Sequence, residues 1–264
     1  MWGSADYCGG RATQRVSALS VTVVSQIVGL PILVLCVVLV PGIPHLGDVG
    51  WAAVAGVCGF LGIVLLYRSL STGAMAVAAP ITAVTGAVVP VVAGLLIEQA
   101  PSPVMLVGVG CAVAAIGLVS IGPRTGGKVT AEVIGIALLS GTMFGLFFVL
   151  LAQTSDDSGM WPLVVVRSVS IPLGLALVAL RGATLRMPRR LTGWLIGAGV
   201  GDIGANALFL LAARDGLLSV VAPIAALYPV STVLLALAVD KERVRPIQIA
   251  GLGLAASALV LTAL

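Results

Sequence analysis

The sequence predicts an all-α integral membrane protein, a ten-helix bundle built from two inverted five-helix repeats with the first helix truncated. Three observations predict it. The chain carries too little charge for a water-soluble surface. It divides into membrane-length runs with almost no ionisable residues. Its second half repeats its first.

Of 264 residues, 59% are hydrophobic and 9% are charged, where a soluble domain carries roughly 25% charged residues. Mean hydropathy is +1.19. The elements follow in order. In the opening, MWGSADYCGGRATQR, Trp2-Gly3 falls on Phe144-Gly145 at an offset of 142. Before Phe144 stands AEVIGIALLSGTM, and before Trp2 only Met1. The opening therefore reads as the second half of a first span, roughly a dozen residues short of the ~20 that a crossing needs. In-frame codons upstream of Met1 are expected to supply the missing apolar residues. The opening is not expected to be a signal peptide, because no positive start precedes a 7–15-residue apolar core.

Val16–Val40, Val49–Tyr67, Ser69–Ile97 and Gln99–Pro123 follow as spans two to five, all free of Asp, Glu, Lys, Arg and His. Val133–Ser155 is span six, and Gly216–Val239 and Pro246–Leu264 are spans nine and ten, equally uncharged. Spans seven and eight, Trp161–Leu180 and Leu191–Ala213, are interrupted once each, by Arg167 and Asp202. Backbone amides facing lipid must be satisfied internally, so these runs are helices.

The repeat rests on LLYRSLSTGAMAVAAPITA (65–83) and LFLLAARDGLLSVVAPIAA (208–226). At an offset of 143, Gly73/Gly216, Val77/Val220, Ala79/Ala222, Pro80/Pro223, Ile81/Ile224 and the span-opening Trp51/Trp194 coincide. At 141, Pro31 meets Pro172 and Gln26 meets Arg167. Spans two to five thus pair with seven to ten, and the opening pairs with six. The expected domains are residues 1–123 and 129–264.

Twelve of the fourteen basic residues fall in connections on one side of this map, Arg214 falls on the other side and Arg167 inside a span. Basic loops stay in the cytoplasm, so Arg181–Arg190 is expected inside and the C-terminus outside. An odd number of spans per half inverts the halves, an architecture common among secondary transporters with a site near the midplane.

The net charge of +4 is spread through short loops with no basic stripe, so nucleic acid is not an expected partner. Cys8, Cys36, Cys58 and Cys111 form no CxxC pair, and the single histidine, His45, lies in a loop; no metal site or cofactor is expected. GPRTGGKV (122–129) departs from a phosphate-binding loop at Val129 and has no strand before it. GLGLAA (251–256) lies inside an apolar span, where small residues let helices approach. No HExxH or G-x-S-x-G occurs.

Polar groups within spans are the functional candidates, because a charge at a helix centre costs about 2.5–3.5 kcal/mol on insertion scales. They are Arg167, Asp202, Asn206 one turn beyond Asp202, Asp6, Gln26 and Tyr228. A guanidinium suits a carboxylate and an aspartate suits an amine or a coupling proton, so an amino-acid-like substrate would fit both. Arg167 and Asp202 neutralising each other is the competing reading. Pro31, Pro80, Pro90, Pro172, Pro223 and Pro229 fall inside spans as kinks.

The WGSAD opening resembles the drug/metabolite transporter superfamily, EamA type. So do YRSLSTGAMAVAAPITA, LAARDGLLSVVAPIAALYPVSTVLLA and the late patterns Glu98…Gly108 and Glu242…Gly251. The resemblance covers essentially the whole chain as two EamA repeats. It implies ten helices, a central cavity and export or exchange of small metabolites, amino acids or drugs. The expected function is therefore secondary transport by alternating access in the plasma membrane, not catalysis. A small-molecule substrate, the lipid bilayer and a coupling proton are the expected partners, and monomer and homodimer both stay open. A membrane enzyme using Asp202 and Asn206, or a non-transporting scaffold, are the alternatives.

Overall fold

The computed structural model describes residues 1–13, 15–71, 75–97, 101–119, 130–228, 230 and 245–262. Among them are ten α-helices, two short 3-10 turns and no strand. The first five helices are α1 (Trp2–Thr13), α2 (Ala18–Leu39), α3 (Leu46–Ser71), α4 (Met75–Ile97) and α5 (Pro103–Val119). The second five are α6 (Ala131–Ala152), α7 (Trp161–Leu180), α8 (Thr192–Asp215), α9 (Leu218–Ala225) and α10 (Pro246–Thr262). Each expected span contains one of these helices. By length and composition, five of them can cross a membrane: α2, Leu46–Leu66 of α3, α6, α7 and Arg189–Asp215, which contains α8. The twelve residues of α1 reach only about 18 Å.

Local chemistry sets the helix ends. The Ser17 hydroxyl accepts from the Ser20 N–H at 3.2 Å and caps α2. Pro162 occupies the first turn of α7, where its missing N–H costs nothing. That helix ends at Gly182, whose φ of +60° favours glycine. There Gly182 N–H donates to Ala179 O and Ala183 N–H to Val178 O, the two bonds of a Schellman turn. The repeat-related Pro31 and Pro172 lie inside α2 and α7, and Pro223 lies inside α9. Pro229, Glu98, Glu242 and the 122–129 stretch lie outside the described residues.

The chain forms two compact units. The first is Met1–Phe60 with Leu150–Leu211, and the second is Leu61–Val149 with Ala212–Leu264. Each unit draws helices from both halves of the sequence. Repeat mates pack on each other: α2 on α7 in the first unit, α4 on α9 and α5 on α10 in the second.

Glycine sets the helix spacing in the first unit. A Cβ on Gly174 of α7 would lie 2.6 Å from Val23 of α2 and 2.9 Å from Phe60 of α3. One on Gly199 of α8 would strike the Ser25 carbonyl oxygen and lie 2.9 Å from Gly29 N. Gly201 of α8 meets Ala5 of α1 in the same way, at 3.0 Å. Such small-residue contacts replace the hydrophobic effect as the source of helix association in lipid.

The second unit is held by an alanine-rich core of Ala83, Ala87, Ala112, Ala115, Ile116, Ala226, Leu227, Ala255 and Ala258. Hydroxyls add bonds between helices: Ser140 donates to Gly62 O at 2.8 Å and Thr82 to Ala137 O at 3.1 Å. Gly251, the first residue of the GLGLAA stretch, packs against Val119, with a Cβ position 2.7 Å from the valine methyl. The large side chains of Val34, Val38, Leu96 and Val260 point outward and are exposed, as suits a surface that faces hydrocarbon.

Candidate functional site

The polar candidates of the first unit gather where α7 and α8 meet. Arg167 stands two turns into α7 and is buried, with 7% of its surface exposed. Its Nη2 pairs with Oδ2 of Asp202 on α8. Asn206, one turn further along α8, donates to Asp202 O at 2.8 Å and to Asp202 Oδ1 at 3.2 Å. Both carboxylate oxygens of Asp202 are therefore engaged. Its side chain nevertheless keeps 33% of its accessible surface, against 8% for Arg167.

One donor of this cluster is unspent. Arg167 Nε is buried and has no hydrogen-bond acceptor among the described residues. Unsatisfied buried donors are rare in folded proteins, so this N–H edge is a place where a solute oxygen could bind.

Gln26 of α2 joins the same face of α7 through Ser170, whose hydroxyl donates to Gln26 Oε1 at 2.9 Å. Ser170 lies three residues after Arg167 and so shares its helix face. Gln26, the repeat counterpart of Arg167, thus meets the helix face that carries Arg167. Asp6 of α1 is brought toward the pair by its neighbour Ala5, which abuts Gly201, the residue before Asp202. Asp6 itself is exposed. Tyr228 belongs to the second unit, three residues beyond α9, and is half-buried.

Two further clusters of the first unit escape sequence reasoning. Asp48, in the first turn of α3, is buried and binds the turn between α6 and α7. Its Oδ1 accepts from Ser155 N at 3.0 Å and Ser155 Oγ at 2.9 Å, and its Oδ2 accepts from Ser158 Oγ. The same turn receives Ile43 N on Asp157 O at 2.9 Å, and Trp161 Nε1 donates back to Gly42 O at 3.1 Å. Gly42 and Gly159 cross in backbone contact, Gly159 at φ +53°. The only trace of this interlock in sequence is a carboxylate at a span edge and a serine-rich turn. The second cluster joins α1 to α8: the Arg11 guanidinium lies 5.6 Å from the Tyr7 ring and 6.0 Å from the Trp194 ring. The two rings meet edge to face at 6.0 Å.

Comparison with known proteins agrees with this architecture. A crystal structure titled only "Crystal structure of protein" is similar over 98% of this chain and 92% of that one, with a TM-score of 0.76 and 13% identity. That likeness speaks for the fold alone. No curated protein matches the chain. The model of the EamA-like transporter family matches residues 1–121 and again 132–264. Two copies of one family model together cover nearly the whole chain, and the chain belongs to the EamA-like transporter family of the drug/metabolite transporter superfamily.

Proposed function

We propose that the protein is a secondary transporter of small polar metabolites, amino-acid-like solutes or drugs, working by alternating access in the direction of export or exchange. One observation carries this reading: a buried guanidinium, a partly accessible carboxylate and an amide share one polar centre inside apolar helices. Charge at that depth persists when it serves a partner or a passing solute. Arg167, Asp202, Asn206, Gln26 and Asp6 are the substrate-binding residues of the first unit, and Tyr228 is that of the second. The expected domains, 1–123 and 129–264, are the inverted repeats whose exchange of conformation alternates access.

The setting is the plasma membrane, with the basic Arg181–Arg190 loop in the cytoplasm. A coupling proton drives the cycle, and no ATP is hydrolysed. The test is a solute screen in proteoliposomes loaded with a broad metabolite mixture. Wild type is expected to release a subset unaltered, and Arg167→Gln, still inserted and monodisperse, to release none. Chemical conversion of a solute would favour an enzyme and overturn the reading. So would full transport by the charge-swapped pair Arg167→Asp/Asp202→Arg, which would remove these two residues from the solute's path and leave Gln26, Asn206 and Tyr228.

A further inference from the structure

Arg167 and Asp202 meet along an edge that they do not fill. Nε and Nη2 point from the same edge of a guanidinium, and a carboxylate lying along that edge takes both donors. Asp202 takes Nη2 through Oδ2. Its Oδ1 is turned instead to the amide of Asn206, at 3.2 Å. Arg167 Nε stays buried without an acceptor among the described residues.

Asn206 causes that turn. It stands one turn beyond Asp202 on α8, and its amide nitrogen is anchored on Asp202 O at 2.8 Å. A primary amide has two N–H donors. With one on the backbone carbonyl, the other meets Oδ1 of the same residue. The carboxylate is therefore shared between Arg167 and its own helix. A buried donor without a partner is costly, and an arrangement with both Asp202 oxygens on Arg167 would satisfy it. The amide of Asn206 competes with that arrangement for Oδ1.

The charges around the edge decide what it can take. Arg167 is the only charged residue of α7, and α2 carries none. On α8, Arg214 and Asp215 lie in the last turn, so Asp202 is alone in the body of the helix. Arg11 of α1 lies over the Tyr7 and Trp194 rings. One cation thus faces one anion. A second carboxylate on Nε would share that single positive charge and lose its own hydration. A carbonyl, amide or hydroxyl oxygen brings a lone pair and no charge. The approach lies beside Asp202, whose side chain keeps 33% of its surface.

We propose that Asn206 is a positioning residue that holds Asp202 to one donor of Arg167 and so reserves Arg167 Nε for an uncharged oxygen of the solute. The proposal rests on the transport reading and narrows it to solutes that present a carbonyl, amide or hydroxyl to Arg167. Arg167 touches the solute, and Asn206 acts through Asp202. Without the amide, Asp202 closes on both donors: the ion pair tightens while the solute's donor is lost. A merely structural bond from Asn206 would loosen the pair instead.

The experiment uses the purified full chain in detergent, with isotopically labelled arginine. The Nε–H signal of Arg167 is the one missing in Arg167→Gln. Asn206→Leu is expected to move that signal downfield as Asp202 Oδ1 arrives. Asp202→Asn is then expected to lower the SDS unfolding midpoint more in the Asn206→Leu background than in wild type. If Asn206→Leu does not fold, Asn206→Ala carries the same test. A signal unmoved in the folded variant, or an Asp202→Asn loss no larger there than in wild type, overturns the positioning role. Two probes of one carbon skeleton test the oxygen: isocaproamide is neutral and isocaproate is an anion. Isocaproamide is expected to move the wild-type signal saturably, isocaproate to leave it in place, and neither to move it in Asn206→Leu. A shift with isocaproate, or none with isocaproamide, overturns the choice of an uncharged oxygen. The two readings fail separately. A signal that answers isocaproamide in a protein that moves no solute in the liposome screen leaves the site standing and removes transport. A solute moved by a protein whose signal ignores isocaproamide leaves transport standing and removes the site.

Discussion

Asp48→Ala tests how much of the first unit depends on one buried carboxylate. Asp48 is 7% exposed and accepts three hydrogen bonds, two on Oδ1 from Ser155 and one on Oδ2 from Ser158. A hydrogen bond to a charged group contributes about 1.5–3 kcal/mol, and donors left unmatched in a buried place add their desolvation cost. The serine hydroxyls can rotate to other acceptors, whereas the Ser155 N–H keeps its direction. The three bonds share one acceptor group and are not additive, so the expected loss for Asp48→Ala is about 3–5 kcal/mol.

Asp48→Asn separates charge from shape. Its carbonyl oxygen can keep both Ser155 bonds, and its amide can donate to the Ser158 hydroxyl, so only the charge assistance is lost, about 1–2 kcal/mol. Unfolding in mixed micelles of increasing SDS fraction gives both numbers. The fluorescence of Trp161 reports locally, because its indole bonds Gly42 O within the same interlock; the signal lost in Trp161→Phe identifies it. An Asp48→Ala protein within about 0.5 kcal/mol of wild type, or an Asp48→Asn protein as damaged as Asp48→Ala, would refute the reasoning.

Other outcomes follow from the same packing. Arg167→Gln and Asp202→Asn should each cost about 2–4 kcal/mol, the lower part of the usual range for a broken buried pair because Asp202 keeps a third of its surface; the charge-swapped double variant should regain most of that stability in SDS unfolding, and transport should stay lost. Gly199→Ala places a methyl against the Ser25 carbonyl and should cost about 1–3 kcal/mol. Gly253→Ala meets nothing within 4 Å and should be neutral or gain up to about 1 kcal/mol; equal effects at the two glycines would contradict the helix spacing described here. Reporter fusions at Leu264 should behave as external and fusions within Arg181–Arg190 as cytoplasmic; a cytoplasmic signal at Leu264 would break the ten-span map.

Several features of this protein needed no knowledge of neighbours. Hydrocarbon penalises every unpaired amide and every charge along a single helix, so charge-free runs mark the helices, and Arg167 and Asp202 stand out as exceptions. Paired prolines and the two Ala-Pro-Ile blocks expose the repeat by simple offset. Of the two glycines of GLGLAA, Gly251 reads correctly as packing surface, since it meets Val119, whereas Gly253 meets nothing within 4 Å.

What the sequence left open was partnership, because that depends on how helices far apart in the chain cross. Arg167 and Asp202 are 35 residues apart, Gln26 and Ser170 144, and Asp48 and Ser155 107. Only the approach permitted at Gly174, Gly199 and Gly201 decides which of these groups come within hydrogen-bonding reach. The same approach gives each carboxylate oxygen of Asp202 a partner. It also binds Asp48, a residue with no distinction of its own, into the interlock between two loops. Span positions are a property of one segment and its solvent, whereas pairing is a property of helix crossings, and tertiary packing alone sets those.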